Sequence, residues 1–318
     1  MRDFAVDLTK VLAIFLVTIG HSVVGPINDV IYSFHMPLFF IISGFFLSKY
    51  FNSPWQYVKK RTISLMLPAC IIGIIVFLQR LYIEDGFSID LWRQKHSLGY
   101  ILTYFPWFLI CLYVCSLILV LSKVILKNDF VSTIAIILIS LVFPTNVLYI
   151  NAFLPFVWFG SLFKKYVWNK HDRYLFWPSA AIYLLVYIIF WDSSFLCYSH
   201  DGIVINFTKE GTFNKASLYG NTIRLITGIT GSLLVITLVK YLTQYKIADR
   251  ILNIGHNTLG IYVLQFVLFN ISFLAIYINN SHWITSVLFG IMLTIILNQL
   301  VIMIRKNRFG KLLLLGER

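Results

Sequence analysis

The sequence predicts an all-α polytopic membrane protein of about ten transmembrane helices, with both termini cytoplasmic. Three observations predict it. Of 318 residues, 59% are hydrophobic and only 12% charged, where a soluble domain carries about 25% charged residues. Apolar stretches recur along the whole chain, most of them near the roughly 20 residues that cross a bilayer. Lys and Arg are distributed unevenly between alternate loops, the pattern that sets membrane orientation.

Ten stretches qualify in order: Phe4–Val24, Ile31–Tyr50, Ser64–Ile83, Tyr100–Val124, Phe130–Asn146, Leu148–Tyr166, Tyr174–Trp191, Asn221–Tyr241, Thr258–Ile278 and Trp283–Ile304. The fifth and sixth are joined by a very short connection, Thr145–Val147, flanked by Pro144 and Pro155. A single hairpin that does not fully cross is the alternative there. With the N-terminus inside, only Arg80, Arg93, Lys95, Lys209, Lys215 and Arg224 of the 26 Lys and Arg residues fall on the outer side. The net charge of +13 therefore reads as topology and attraction to anionic lipid, and no nucleic-acid partner is expected. The expected location is the cell (inner or plasma) membrane.

The first segment reads as a retained helix. Asp3 and Asp7 disagree with the basic start of a signal peptide, and no small-residue cleavage site follows Val24. Cys70, Cys111, Cys115 and Cys197 lack metal-ligand spacing, and no metal is expected. Three of them lie within spans, where Cys behaves as a small hydrophobe. No soluble module, internal repeat or low-complexity tract interrupts the chain, so residues 1–318 read as one integral membrane domain. The external loops Glu84–Gly99 and Asp192–Gly220 carry most of the remaining charge.

Chemistry-bearing residues cluster in the first three spans. Lys10 and His21 lie eleven residues apart in the first. Eleven steps of about 100° return to the same helix face, with a rise of about 16 Å. Ionisable groups inside a membrane helix are costly and mark function by default. Asp7, three residues before Lys10, is its neighbour on that face. Lys10 also reads as a side chain snorkelling to headgroups with Asp7 as counter-ion. His21 reads equally as a general base and as a histidine held at the interface. His35 lies near the same end of the second span, so two histidines share one depth. Ser43 and Gly44 allow a second helix to approach closely. Lys59, Lys60 and Arg61 mark the inner face, and together with Lys10 they suit an anionic cytosolic ligand.

These residues resemble the acyltransferase-3 family of integral membrane acyltransferases. The family opens with a basic residue, ten others and a histidine, as in Lys10 and His21 after Asp7. The stretch from Phe34 to Phe45, with His35, Pro37, Ser43 and Gly44, resembles its second-helix signature. Lys60-Arg61 with Leu67-Pro68, then Trp107-Phe108-Leu109, Gly255 to Tyr262, and the tail from Arg308 to Gly316 follow in the family's order. Two positions depart from it. Gln265 stands where the late signature usually ends in histidine, and Ser64 where a second arginine is common.

The resemblance implies transfer of an acyl group, most often acetyl, from cytosolic acyl-coenzyme A to a hydroxyl of a cell-surface or lipid-linked glycan. Acetyl-CoA then serves as the acyl donor and no metal takes part. His21 and His35 are the expected catalytic residues. Lys10, Lys59, Lys60 and Arg61 are expected to bind the donor, and Asp7, Ser43, Gly44 and Trp107 to support the site. His21 either takes the proton of the attacking hydroxyl or accepts the acyl group itself; both remain open. The expected partners are the donor, the carbohydrate acceptor and membrane lipid, and a homo-oligomer is left open. The alternative class is a glycan transporter, flippase or polymerase without acyl transfer. Proton-coupled transporters generally place carboxylates in the membrane interior, and here only Asp7 is near one.

Overall fold

A computed structural model describes residues 3–23, 25–86, 88–90, 93, 103–142, 149–170, 172–192, 215–243, 249–269 and 282–317. Every regular element among them is helical. In chain order these are α1 (Phe4–Ser22), α2 (Pro26–Tyr32), α3 (His35–Gly44), α4 (Pro54–Arg61), α5 (Leu67–Asp85), α6 (Trp107–Leu126), α7 (Asp129–Val142), α8 (Ile150–Tyr166), α9 (Phe176–Phe190), α10 (Lys215–Leu242), α11 (Asp249–His256), α12 (Thr258–Phe269), α13 (Trp283–Lys306) and α14 (Arg308–Leu315). Among the described residues, five helical stretches are long and apolar enough to cross a membrane: Phe4–Ser22, Pro54–Ile83, Trp107–Leu126, Tyr219–Leu242 and Trp283–Lys306. Shorter apolar helices occupy parts of three further predicted spans, in α7, α9 and α12.

Two differences from the sequence reading have local causes. The second predicted span breaks at Ser33-Phe34 into α2 and α3. Pro37 has no N–H and its ring collides with the carbonyl four residues back, which belongs to Ser33. Restarting the helix at His35 puts Pro37 in an opening turn, where a missing amide costs nothing. The break is held by Ser33 Oγ, which donates to Val30 O at 2.7 Å and bonds Tyr183 Oη at 2.8 Å. The third span starts earlier than expected. The helix begins at Pro54 and passes through a π-helical turn at Thr62–Met66. Pro68 follows that turn, and a wider turn relieves its collision with the Ser64 carbonyl.

Helix α1 is the hub. It packs against α2, α3, α10, α11, α12 and α13, and twelve of its residues are buried. Its hydroxyls are satisfied within the helix: Thr9, Thr18 and Ser22 each donate to the carbonyl four residues back. Thr18 also bonds Thr294 of α13 at 2.6 Å. The outer helices turn apolar side chains outward, as at Ile125, Phe130, Trp177 and Ile188. In lipid such surfaces carry no penalty, and helices associate through close packing instead.

The closest crossing joins α3 to α8. A Cβ on Gly44 would lie 2.2 Å from Val157 O, and one on Gly160 2.0 Å from Ile41 O. The two backbones touch, and neither position has room for a methyl group. Gly160→Ala is expected to destabilise the protein by about 1–3 kcal/mol, the usual cost of overpacking. A melting curve of the detergent-purified variant checks this. A midpoint equal to wild type would mean that these helices do not cross so closely.

Candidate active site

Two polar clusters sit at opposite ends of α1, with an apolar cavity running from one towards the other. The first cluster is built on Asp7, which is 6% exposed. Its Oδ1 accepts from Lys10 Nζ at 3.2 Å, and its Oδ2 lies 4.0 Å from His256 Nε2. Gly255 makes this possible: a Cβ there would lie 2.6 Å from Asp7 O, so only glycine lets α11 come so near. Lys10 Nζ also sits 4.9 Å above the Phe46 ring, a cation–π contact.

A cavity of about 190 Å³ opens beside Lys10. Arg61, Ser43, Phe46, Leu65 and Thr258 surround its Lys10 end, and Val17, Met36, Phe39, Phe108 and Tyr262 enclose the far end. Along α1 the lining runs from Lys10 to Val17, seven residues on the same helix face. His21 is one turn further. The lining thus follows the stripe that the eleven-residue spacing predicts as far as Val17, one turn short of the histidine.

The second cluster joins the two histidines. His21 Nδ1 lies 3.2 Å from Tyr32 Oη, and its ring is 5.6 Å from Phe269. The Tyr32 ring is 4.8 Å from that of His35. His35 is 1% exposed, and its Nδ1 donates to Ile31 O at 2.8 Å. A carbonyl only accepts, so this bond places the proton on Nδ1 and leaves the Nε2 lone pair free in the neutral ring. His21 is exposed at this end. Beyond it, burial and the neighbouring Asp192 carboxylate raise the Asp29 carboxyl above its ordinary range.

The structure separates one group that the sequence treats as a unit. Lys59 and Lys60 do not join Lys10 and Arg61. They line a second depression of about 840 Å³ with Lys49, Lys311 and Ser64. The cause is helical rotation: Lys60 and Arg61 differ by about 100° around α4. Ser43 lines the cavity, while Gly44 serves the α3–α8 crossing. Trp107 opens α6 and packs on Tyr149 and Phe153 at 5.3 and 5.5 Å, a supporting position. Trp92, Tyr100, Tyr198 and most of the two external loops lie outside the described residues.

Several residues of the site carry no role in the sequence reading. Tyr32 ends α2 three residues before His35 opens α3, and no sequence spacing flags a pair that meets across a break. His256 and Tyr262 belong to the late motif but face α1 and the cavity only once the helices are packed. Asn257 accepts from Arg305 Nη1 at 2.6 Å and donates to Asn298 at 2.7 Å, and Arg305 in turn holds Glu317 at 2.8 and 2.5 Å. Gln265 is 2% exposed, and its Oε1 meets no hydrogen-bond donor among the described residues. Such an orphaned buried group costs about 1–3 kcal/mol.

Comparison with known proteins agrees with this architecture. The acyltransferase-domain model of the acyltransferase-3 family matches residues 3–303. No curated protein and no solved structure matches the chain. Apolar helices long enough to cross a bilayer and a match over nearly the whole length lead to one conclusion: the chain belongs to the acyltransferase-3 family and is a multi-pass membrane acyltransferase.

Proposed function

We propose that the protein moves an acetyl or other short acyl group from cytosolic coenzyme A to a hydroxyl of a cell-surface or lipid-linked glycan. The cavity carries this reading. It is lined mostly by apolar side chains, has Lys10 and Arg61 at one end, and extends along α1 towards His21. Coenzyme A has the matching form: a phosphate-rich head and a thin arm ending in sulfur. The Lys and Arg bias puts the Lys10 end in the cytoplasm, where the donor is made. Lys10 and Arg61 hold phosphate oxygens at the mouth by charge-assisted bonds, and the arm lies between Phe39, Phe108 and Tyr262. Met36 lines the end nearest His21, and its unbranched chain suits the turn aside that would admit the thioester.

The acceptor arrives from the opposite side, where His21 is exposed. Its hydroxyl oxygen attacks the thioester carbonyl while His21 takes the proton. The C–S bond breaks, the sulfur leaves as thiolate, and the proton returns to it. Tyr32 steadies His21 through Nδ1, which directs Nε2 to the reacting hydroxyl. His35, buried and fixed in one tautomer, supports Tyr32 and the acceptor side.

His21→Ala is expected to lower turnover by about 10²–10⁴-fold, the range for a lost general base. Donor binding stays within about twofold, because the change lies beyond the cavity. Acyl transfer from labelled acetyl-coenzyme A in membranes reads the first quantity and equilibrium binding the second. Near wild-type turnover would remove His21 from the mechanism. Tyr32→Phe deletes one hydrogen bond and is expected to cost up to about tenfold in turnover with unchanged donor binding.

The division of the basic residues gives a separate expectation. Arg61→Ala weakens donor binding by about tenfold or more, in line with the 1.5–3 kcal/mol of a hydrogen bond to a charged group. Lys59 and Lys60 changed together to Ala cost less than about threefold. Titration of each variant with acetyl-coenzyme A checks the order. The reverse order would place the donor's head in the larger depression.

A further inference from the structure

Helix α12 connects the two halves of the site. Tyr262, Gln265 and Phe269 follow at steps of three and four residues, so they form one stripe on it. Tyr262 lines the far end of the cavity. The Phe269 ring lies 5.6 Å from that of His21. Gln265 stands between them on that stripe, outside the residues that line the cavity and one turn before Phe269.

This is a costly place for an amide. Gln265 is 2% exposed, and no donor among the described residues reaches its Oε1. Buried side-chain oxygens in folded proteins almost always have a partner, and each exception calls for a cause. A leucine would fill the same length of helix face with no polar group to satisfy. An amide kept in this position fits a site whose partner arrives with a ligand.

We propose that Gln265 is a positioning residue for the acyl donor, its Oε1 accepting a hydrogen bond from the donor amide N–H nearest the thioester. This rests on the coenzyme A reading above. In that donor the amide nitrogen lies three bonds behind the sulfur, roughly 4 Å away in an extended arm. One helical turn is about 5.4 Å. When the sulfur reaches the level of Phe269 and His21, the amide is therefore level with Gln265. The bond sets how far the arm advances and holds the carbonyl carbon in front of His21.

The test uses the purified full-length protein and two non-reacting donors. One is the thioether analogue of acetyl-coenzyme A, which keeps the amide N–H. The other carries an ester oxygen in place of that N–H. Wild type is expected to bind the amide analogue about five- to tenfold more tightly than the ester analogue. Gln265→Leu removes this preference: affinity for the amide analogue falls by the same factor, and affinity for the ester analogue is unchanged. The melting midpoint of the ligand-free variant stays level or rises, because an orphaned polar group has been removed. Three results overturn the proposal. They are equal binding of both analogues by wild type, an unchanged preference in Gln265→Leu, or a lowered ligand-free midpoint with equal losses for both analogues. Wild type that binds neither analogue overturns the coenzyme A reading itself, and this proposal with it.

Discussion

The buried carboxylate of Asp7 fixes the register on which the site depends. A charge removed from water is costly unless it is paired. Asp7 meets Lys10 on its own helix at any rotation and His256 on α11, so the second contact is the one that selects a rotation of α1. That rotation turns Lys10 and Val17 to the cavity and carries His21 to the far end of the same stripe. A shift of one residue, about 100°, would turn Lys10 and Val17 away from the cavity, carry His21 off that stripe and part Asp7 from His256. Gly255 is the steric half of the same constraint, since it lets α11 lie close enough for His256 to reach.

The two ends of the site are built from different materials. At the Lys10 end, full charges are held near one another and near an aromatic ring, an arrangement suited to an anion of variable pose. At the histidine end the contacts are directional hydrogen bonds and ring contacts. The Ile31 carbonyl fixes the His35 tautomer, and Tyr32 links both imidazoles. Between them the walls are almost wholly apolar, with Phe39, Phe108 and Tyr262 leaving a narrow passage. Apolar walls hold a ligand through burial of its apolar surface and leave directional contacts to the polar groups at the two ends.

Much of this was legible in the sequence. The stretches of low charge found helices, because a bilayer restricts composition more severely than a soluble core does. The spacing of Lys10 and His21 survived because α1 is one unbroken helix. What the sequence left unread depends on tertiary geometry. Lys59, Lys60 and Arg61 look like one basic cluster as a string, and a helix divides them between two depressions. Pro37 was visible, yet its consequence at Ser33, a break that brings Tyr32 beside both histidines, required the folded chain. Arg305, Asn257, Asn298 and Glu317 are distant in sequence and form one network only after α11, α13 and the tail have packed. Gln265 stood out as a departure from a motif, but its isolation from hydrogen-bond donors is a property of the packing alone.

The contact at Gly44 and Gly160 has a mechanical consequence. Helices that meet backbone to backbone have no flexible side chains between them to absorb sliding or separation. The pair α3–α8 is therefore a stiff wall, braced further by the stacked rings of Phe40 and Phe153 at 4.3 Å. Phe39, Ile42, Ser43 and Phe46 project into the cavity from that wall. The remaining lining, from α1, α6, α12 and the segment of Arg61 and Leu65, reaches the cavity through side chains. Any change in the cavity's width is therefore expected to come from the flanks that meet through side chains, with the α3–α8 wall as the fixed reference.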